Sequence, residues 1–178
     1  MGLSRLDNFL KSSRGTILYV NPNDLDATDS IENQGNSLTR PFKTIQRALL
    51  EAARFSYQRG LNNDRFAKTT IQVYPGDHVI DNRPGFIPDG TNNYRLRNGT
   101  TSDNLPAFDL STNLDLASAD NNLFKLNSIH GGVIIPRGTS LVGVDVRKTK
   151  IRPKYIPSPT NSNIERSAIF RVTGGCYF

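Results

Sequence analysis

The chain has 178 residues, of which 36% are hydrophobic and 21% charged, and its formal net charge is +6. Its 14 Gly and 10 Pro stay close to the usual combined share of about 12%, which excludes collagen-like and low-complexity chains. Asn occurs 18 times and Asp outnumbers Glu by 13 to 3, a composition that favours turns and caps over helix interiors. We therefore expect one loop-rich domain made mainly of β-strands.

The sequence also limits the compartment. It contains no run of eighteen apolar residues, so we expect no membrane insertion. Residues 1–6 lack the apolar core of a secretory signal, and the single Cys176 excludes an intramolecular disulfide. We expect synthesis and folding in a reducing cytoplasm, with no cofactor and no bound metal ion.

The first fifteen residues predict a short amphipathic helix. Its apolar positions recur at helical spacing and are Leu3, Leu6, Phe9 and Leu10. A helix this short is marginal in water, so its apolar face needs a surface on which to pack. That surface is either the chain's own domain or a partner protein, and in the second case residues 1–15 are an N-terminal anchor.

A strand is predicted at residues 16–20, before an acidic loop at 21–40. The acidic residues of this loop are Asp24, Asp26, Asp29 and Glu32. They raise the possibility of a calcium site, but Gly35 stands where an EF-hand needs its bidentate Glu. A solvated turn is the favoured interpretation of this loop.

The clearest helix is predicted over residues 41–55. Phe42, Ile45, Leu49, Ala52 and Ala53 fall on one face and are expected to pack as a cap. The opposite, polar face is expected to be solvated and consists of Lys43, Arg47, Glu51 and Arg54. The helix begins either with Pro41 in its first turn or with Thr44 as its cap, and it ends by Gly60.

Short apolar runs predict the remaining strands. They lie at 69–74, 78–80, 133–135, 140–142, 150–151 and 168–172. Hydrophobic periodicity is absent over residues 82–130, and we predict an extended insertion there. Loops beyond about 15 residues are uncommon unless they are functional or disordered. This insertion either packs on its own domain or becomes ordered against a neighbouring subunit.

The basic excess lies near the C-terminal end, where residues 131–178 carry eight Lys or Arg and two Asp or Glu. Lys148, Lys150, Arg152 and Lys154 alternate, and alternate residues of a strand share a face. Such a stripe suits a polyanion or an acidic partner protein. A solvated strand face is the favoured alternative, because Pro153 disfavours a central strand.

Four segments resemble the N-terminal cap and first coils of right-handed parallel β-helix proteins of the pectin-lyase-like superfamily. They are Ile17–Val20, Gly35–Ala48, Thr70–Gly76 and Ile135–Gly143. The resemblance implies that the helix covers the open end of the solenoid. It implies a fold rather than an activity, because this fold serves both enzymes and inert shafts. The whole of residues 16–178 then forms the cap and first coils, with the insertion at 82–130.

The segment Ser4–Gly15 joined to this cap also resembles the N-terminal region of large virion structural proteins from tailed myophages of marine cyanobacteria. The resemblance implies a tail-fibre, spike or baseplate component that forms a homotrimer in the virion. It further implies attachment to other tail or baseplate proteins through the N-terminal part, with the β-helix pointing outward. Contact with a host-surface glycan would then belong to chain beyond residue 178.

An enzymatic function finds little support in these residues. Glycoside hydrolysis needs two carboxylates about 5–9.5 Å apart, and Glu32, Glu51 and Glu165 form no such pair by local geometry. We assign no catalytic residue and expect a non-catalytic structural protein. Two alternatives stay open: a polysaccharide-degrading tailspike with its catalytic coils beyond residue 178, and a capsid or portal component that contacts nucleic acid through the basic stripe.

Overall fold

The computed structural model describes residues 16–56, 68–88, 94–96, 123–156 and 168–172. Within these residues the chain forms nine β-strands, one α-helix and one short 3-10 helix. In chain order they are β1 (Thr16–Val20), α1 (Ile45–Ser56), β2 (Thr69–Val73), β3 (Gly76–Ile80), β4 (Phe86–Pro88), β5 (Tyr94–Leu96), the 3-10 helix (Leu123–Leu126), β6 (Val133–Ile135), β7 (Thr139–Gly143), β8 (Thr149–Pro153) and β9 (Phe170–Val172). The expected mainly β composition with one helix is confirmed for these residues, while the predicted anchor at 1–15 lies outside them.

The strands pair in a repeating order. β2, β3 and β6 pair in parallel with β7, β8 and β9, respectively, and β1 pairs in parallel with the free side of β2. We call β2, β3 and β6 the first layer and β7, β8 and β9 the second layer. The two layers therefore follow one another along the chain in the same strand order, and each strand of one layer pairs with one strand of the other.

The core follows from the alternation of side chains along these strands. Leu18, Ile71 and Leu141 are register partners in β1, β2 and β7, and all three are buried. Val20 and Val73 form a second buried row on the same side. Because strand side chains alternate between faces, every second residue enters this common core. A strand of three to five residues buries too little surface alone, so stacking supplies the stability.

Helix α1 packs against β1, β2 and β3 at the end of the stack formed by β1. Thr44 caps the helix, since its hydroxyl accepts a hydrogen bond from the Arg47 backbone N–H at 3.2 Å. Phe42 precedes the helix and forms a bridge with Val20, and its N–H donates to the Tyr19 carbonyl at 2.8 Å. The side chains of Phe42, Ile45, Leu49 and Ala52 are all buried in the core.

The expectation of a solvated polar face on α1 is wrong at two positions. Arg47 is only 3% exposed and Glu51 only 7%, and their side chains form an ion pair at 2.9 Å. The reason is the loop before the helix, which folds over this face. The Arg47 guanidinium donates to the backbone carbonyls of Asp29 and Asn33, so peptide oxygens replace water around it.

The insertion at 82–130 is more regular than its sequence predicts, since it contains β4, β5 and the 3-10 helix. β4 and β5 form an antiparallel hairpin. At the other end of the insertion, Leu123 and Phe124 are buried, and the Asn127 side chain donates to the carbonyls of Asp81 and Arg83. The described ends of the insertion therefore pack on their own domain, and its residues 89–93 and 97–122 lie outside the described ranges.

Candidate functional site

The loop and the helix at the β1 end are joined by a buried carboxylate. Asp29 is 3% exposed and accepts hydrogen bonds from the backbone N–H groups of Lys43 and Thr44 at 2.8 and 3.0 Å and from the Thr44 hydroxyl at 2.7 Å. Burial nevertheless raises the pKa of Asp29, because desolvation outweighs these hydrogen bonds and the nearby charge of Arg47. The carboxylate thus acts as a second cap for α1.

Phe42 completes this end of the molecule. Its ring lies under the Arg47 guanidinium, whose carbon is 4.7 Å from the ring centroid. The ring also lies close to Gly35, where φ is +61° and a Cβ atom would collide with the ring. Gly35 is therefore required both for its left-handed backbone and for the space it leaves. We call the end formed by β1, α1 and the loop 21–44 the covered end.

A second buried carboxylate lies where the chain leaves the first layer. Asp81 is 1% exposed and forms ion pairs with Arg83 and, at 3.3 Å, with Lys154. Burial alone would raise the pKa of Asp81, but the hydrogen bonds and charge of Arg83, together with Lys154, hold it below its usual range. This group therefore joins a corner of the first layer to the residue after β8.

Asn82 joins the same two layers through its side-chain amide. It is 2% exposed, its nitrogen donates to the Tyr155 carbonyl at 2.9 Å, and its oxygen accepts from the Tyr155 N–H at 2.9 Å. The amide thus continues the backbone ladder at a turn, where strand pairing has ended. Asp81 and Asn82 both join the first layer to the second, and the sequence alone did not predict this role for either residue.

The second layer ends differently from the covered end. Among the described residues, β7, β8 and β9 each lie at the edge of their sheet, with one partner strand. Val172 of β9 is 60% exposed, although its register partner Ile135 is fully buried. Ile151 and Phe170 are partly buried against the core. We call this the open end, and its strand edges and apolar rows are suited to contact with further polypeptide.

The predicted basic stripe lies along β8 at the open end. Lys148, Lys150, Arg152 and Lys154 are all exposed. Arg152 forms a bidentate ion pair with Asp77 of β3, and Lys154 pairs with Asp81. The hydrogen bonds and charge of Arg152 lower the pKa of Asp77. Two of the four cations are therefore paired with carboxylates on or just after β3, which reduces the attraction of the stripe for a polyanion.

Two further features concern a calcium site in the acidic loop and helices that could span a membrane. Among the described residues, no group of three or more His, Cys, Asp or Glu side chains is arranged to hold a metal ion. Asp29, the acidic loop residue with the most contacts, is occupied by the helix N-terminus. A search for membrane-spanning helices within the same ranges finds none of sufficient length and hydropathy.

The predicted site residues fall into three places. Phe42, Ile45, Leu49 and Ala52 meet in the core at the covered end. The basic stripe lies along β8 at the open end and is not part of this cluster, and Leu3, Leu6, Phe9 and Leu10 lie outside the described residues. Comparison of the chain with models of protein families, with curated proteins and with solved structures gives no match.

Proposed function

We propose that the chain is a non-catalytic virion structural protein, the N-terminal attachment region of a phage tail fibre, spike or baseplate component. In this proposal the two layers are coils of a right-handed parallel β-helix of the pectin-lyase-like type. The observation that carries it is the parallel pairing of β2, β3 and β6 with β7, β8 and β9 in the same order. Such pairing requires the chain to return to the same edge after each turn, as in a solenoid.

The covered end supports an attachment role. Helix α1 and the loop tied to it by Asp29 and Arg47 shield the first strands on one side of the stack. A shielded end resists unwanted strand addition. An anchor preceding β1 would then join this stable end to the particle, while the open end points away from it.

The state of the buried carboxylates supports a structural rather than a catalytic role. Asp29 caps a helix, Glu51 pairs with Arg47, and Asp81 pairs with Arg83 and Lys154. A carboxylate held by such partners is committed to structure, whereas a general acid or base needs access to substrate. Release of reducing ends or unsaturated sugars from host envelope glycan by the purified chain would contradict this part of the proposal.

Deletion of residues 1–13 tests the attachment role. We expect the truncated protein to keep the far-ultraviolet circular dichroism spectrum of the full chain but to be absent from assembled particles. A matched pair refines the test: a variant with Leu3, Leu6, Phe9 and Leu10 changed to Ser should also be excluded, whereas Ser4→Ala with Asn8→Ala should be incorporated. Normal incorporation of the truncated protein would contradict the anchor.

A further inference from the structure

An exposed apolar surface lies at the end of β7 and in the turn that follows. Val142 is 45% exposed, Val144 51% and Val146 95%. The three valines stand at alternate positions, and Val146 projects from the turn between β7 and β8. Side chains this exposed contribute little to the core, so the cluster offers apolar area to another molecule.

Two cations lie directly beside these valines. Arg147 and Lys148 are exposed, and their backbone N–H groups donate to the Asp145 carboxylate at 2.8 and 3.0 Å. Within the described residues neither side chain forms an ion pair, unlike Arg152 and Lys154 on the next strand. We call Val142, Val144, Val146, Arg147 and Lys148 the valine corner. Asp145 offsets part of this charge, but the corner keeps a net positive charge, which favours an acidic partner.

The chain contains a segment of complementary chemistry within the insertion. Residues 103–120 carry four Asp and no Lys or Arg. An apolar-Asp-Leu unit occurs twice, as Phe108-Asp109-Leu110 and as Leu114-Asp115-Leu116. These residues lie outside the described ranges. The segment therefore offers apolar side chains to the three valines and acidic side chains to Arg147 and Lys148.

We propose that the valine corner of one copy binds residues 103–120 of a second copy of the chain. This inference rests on the proposed function, in which several copies assemble in the virion. The insertion leaves the first layer at Asp81–Arg83, after β3, whereas the valine corner follows β7. The two surfaces differ, so the contact is heterologous, and heterologous contacts close into rings when the rotation permits. Such a ring is consistent with the expected homotrimer.

Charge reversal on each side tests the contact in the full chain. Arg147→Glu with Lys148→Glu should weaken self-association at least tenfold in analytical ultracentrifugation, and Asp109→Lys with Asp115→Lys should do the same. The four substitutions combined in one chain should restore association, because the charges again match. Lys43→Glu with Lys68→Glu is the control: it changes the net charge equally at exposed positions elsewhere and should leave association unchanged.

Mixing the two doubly substituted chains tests whether the contact joins different copies. Each chain alone places like charges on both of its surfaces, so association in the mixture requires contact between the two different chains. Two chains cannot alternate around a ring of three, so the mixture should form open assemblies rather than the original closed complex. The proposal is overturned if the unmodified chain stays monomeric at all concentrations, if Arg147→Glu with Lys148→Glu keeps the original mass, or if the mixture does not associate. Unchanged circular dichroism of each variant excludes unfolding as the cause of a lost contact.

Failure of this inference is distinguishable from failure of the proposed function. If the unmodified chain is incorporated into particles and Arg147→Glu with Lys148→Glu leaves self-association intact, only the valine corner contact is wrong. If the unmodified chain is absent from particles, the proposed function is wrong irrespective of the solution mass.

Discussion

The covered end and the open end of the stack use the same parallel strand pairing but finish it in opposite ways. At the covered end, polar side chains are turned inward: Asp29 and Arg47 bind backbone groups, and Phe42 is fully buried. At the open end, strand residues expose apolar side chains, with Val142 of β7 45% and Val172 of β9 60% exposed, whereas the exposed apolar residues of the covered end, among them Leu25 and Leu38, lie in its loop. The covered end therefore binds its own backbone groups with its side chains, whereas the open end keeps strand edges that suit contact with further polypeptide.

The strongest test of this difference is the loss of Phe42. Phe42→Ala removes a fully buried ring from under Arg47, and we expect the free energy of unfolding to fall by about 3–5 kcal/mol. Urea denaturation followed by circular dichroism measures the change. Val142→Ala at the open end is the matched control and should change stability by less than about 0.5 kcal/mol, because Val142 is 45% exposed. Equal effects at the two positions would remove the distinction between the ends.

The connection between the layers is tested at Asn82. Asn82→Ala leaves the Tyr155 N–H and carbonyl without the partner that Asn82 supplies, and we expect a loss of about 1–3 kcal/mol in the free energy of unfolding. Asn23→Ala is the control, since Asn23 donates to the Pro75 carbonyl at an exposed corner and should matter less. If Asn23→Ala costs more than Asn82→Ala, the side-chain ladder does not join the layers as described.

The two buried carboxylates predict opposite pH dependence. The pKa of Asp29 is raised, so its ionised form destabilises the fold above that pKa, and this penalty is relieved as the pH falls through it. The pKa of Asp81 is lowered, so its contribution is present above the unfolded-state pKa and is lost as the pH falls through the folded-state value. Each carboxylate therefore changes stability with pH in the opposite sense.

Asp29→Asn and Asp81→Asn separate these contributions. The stability difference between the unmodified chain and each variant, measured by urea unfolding between about pH 3 and pH 7, should change in opposite directions. Asp29→Asn keeps a side-chain oxygen for the N–H groups of Lys43 and Thr44, so its effect at neutral pH should be smaller than that of Asp29→Ala. Parallel pH profiles for the two Asn variants would show that Arg83 and Lys154 do not determine the ionisation of Asp81.

The smallest effect is expected at the exposed pair of Asp77 and Arg152. Their side chains are 49% and 62% exposed, and water and salt screen the attraction between them. Asp77→Asn should leave the urea midpoint unchanged within error, and any shift at low salt should vanish at about 1 M salt. A large shift that persists in high salt would mean that this pair holds β3 and β8 together.

Most of the strands were predictable because residues within or next to each strand indicate it. Short apolar runs and flanking Pro, Gly and Asn place β1, β2 and β6 within a residue or two of their observed bounds. Thr44 was one of the two expected starts of the helix, and its capping bond identifies it as the cap. Strand bounds and helix caps depend on residues within a few positions in the sequence, so they can be predicted without knowledge of the fold.

Most of the missed features depend on partners distant in the sequence. Asp29 caps a helix that starts 16 positions later, and Asn82 binds Tyr155 across 73 positions. Arg47 has the spacing of a solvated residue on an amphipathic helix, and only the folded loop reveals the carbonyls that surround it. The hairpin of β4 and β5 was missed because neither strand is a continuous apolar run like Val133–Ile135: Pro88 ends β4, and Arg95 stands in the middle of β5.

The stacked layers are the central claim, and one measurement tests them most directly. Nuclear Overhauser effects between backbone protons can be recorded for the three ladders β2–β7, β3–β8 and β6–β9. The account predicts a parallel pattern in all three, including contacts between the register partners Ile71 and Leu141, His78 and Ile151, and Ile134 and Arg171. An antiparallel pattern, or the absence of any one ladder, would contradict a solenoid with three strands per layer.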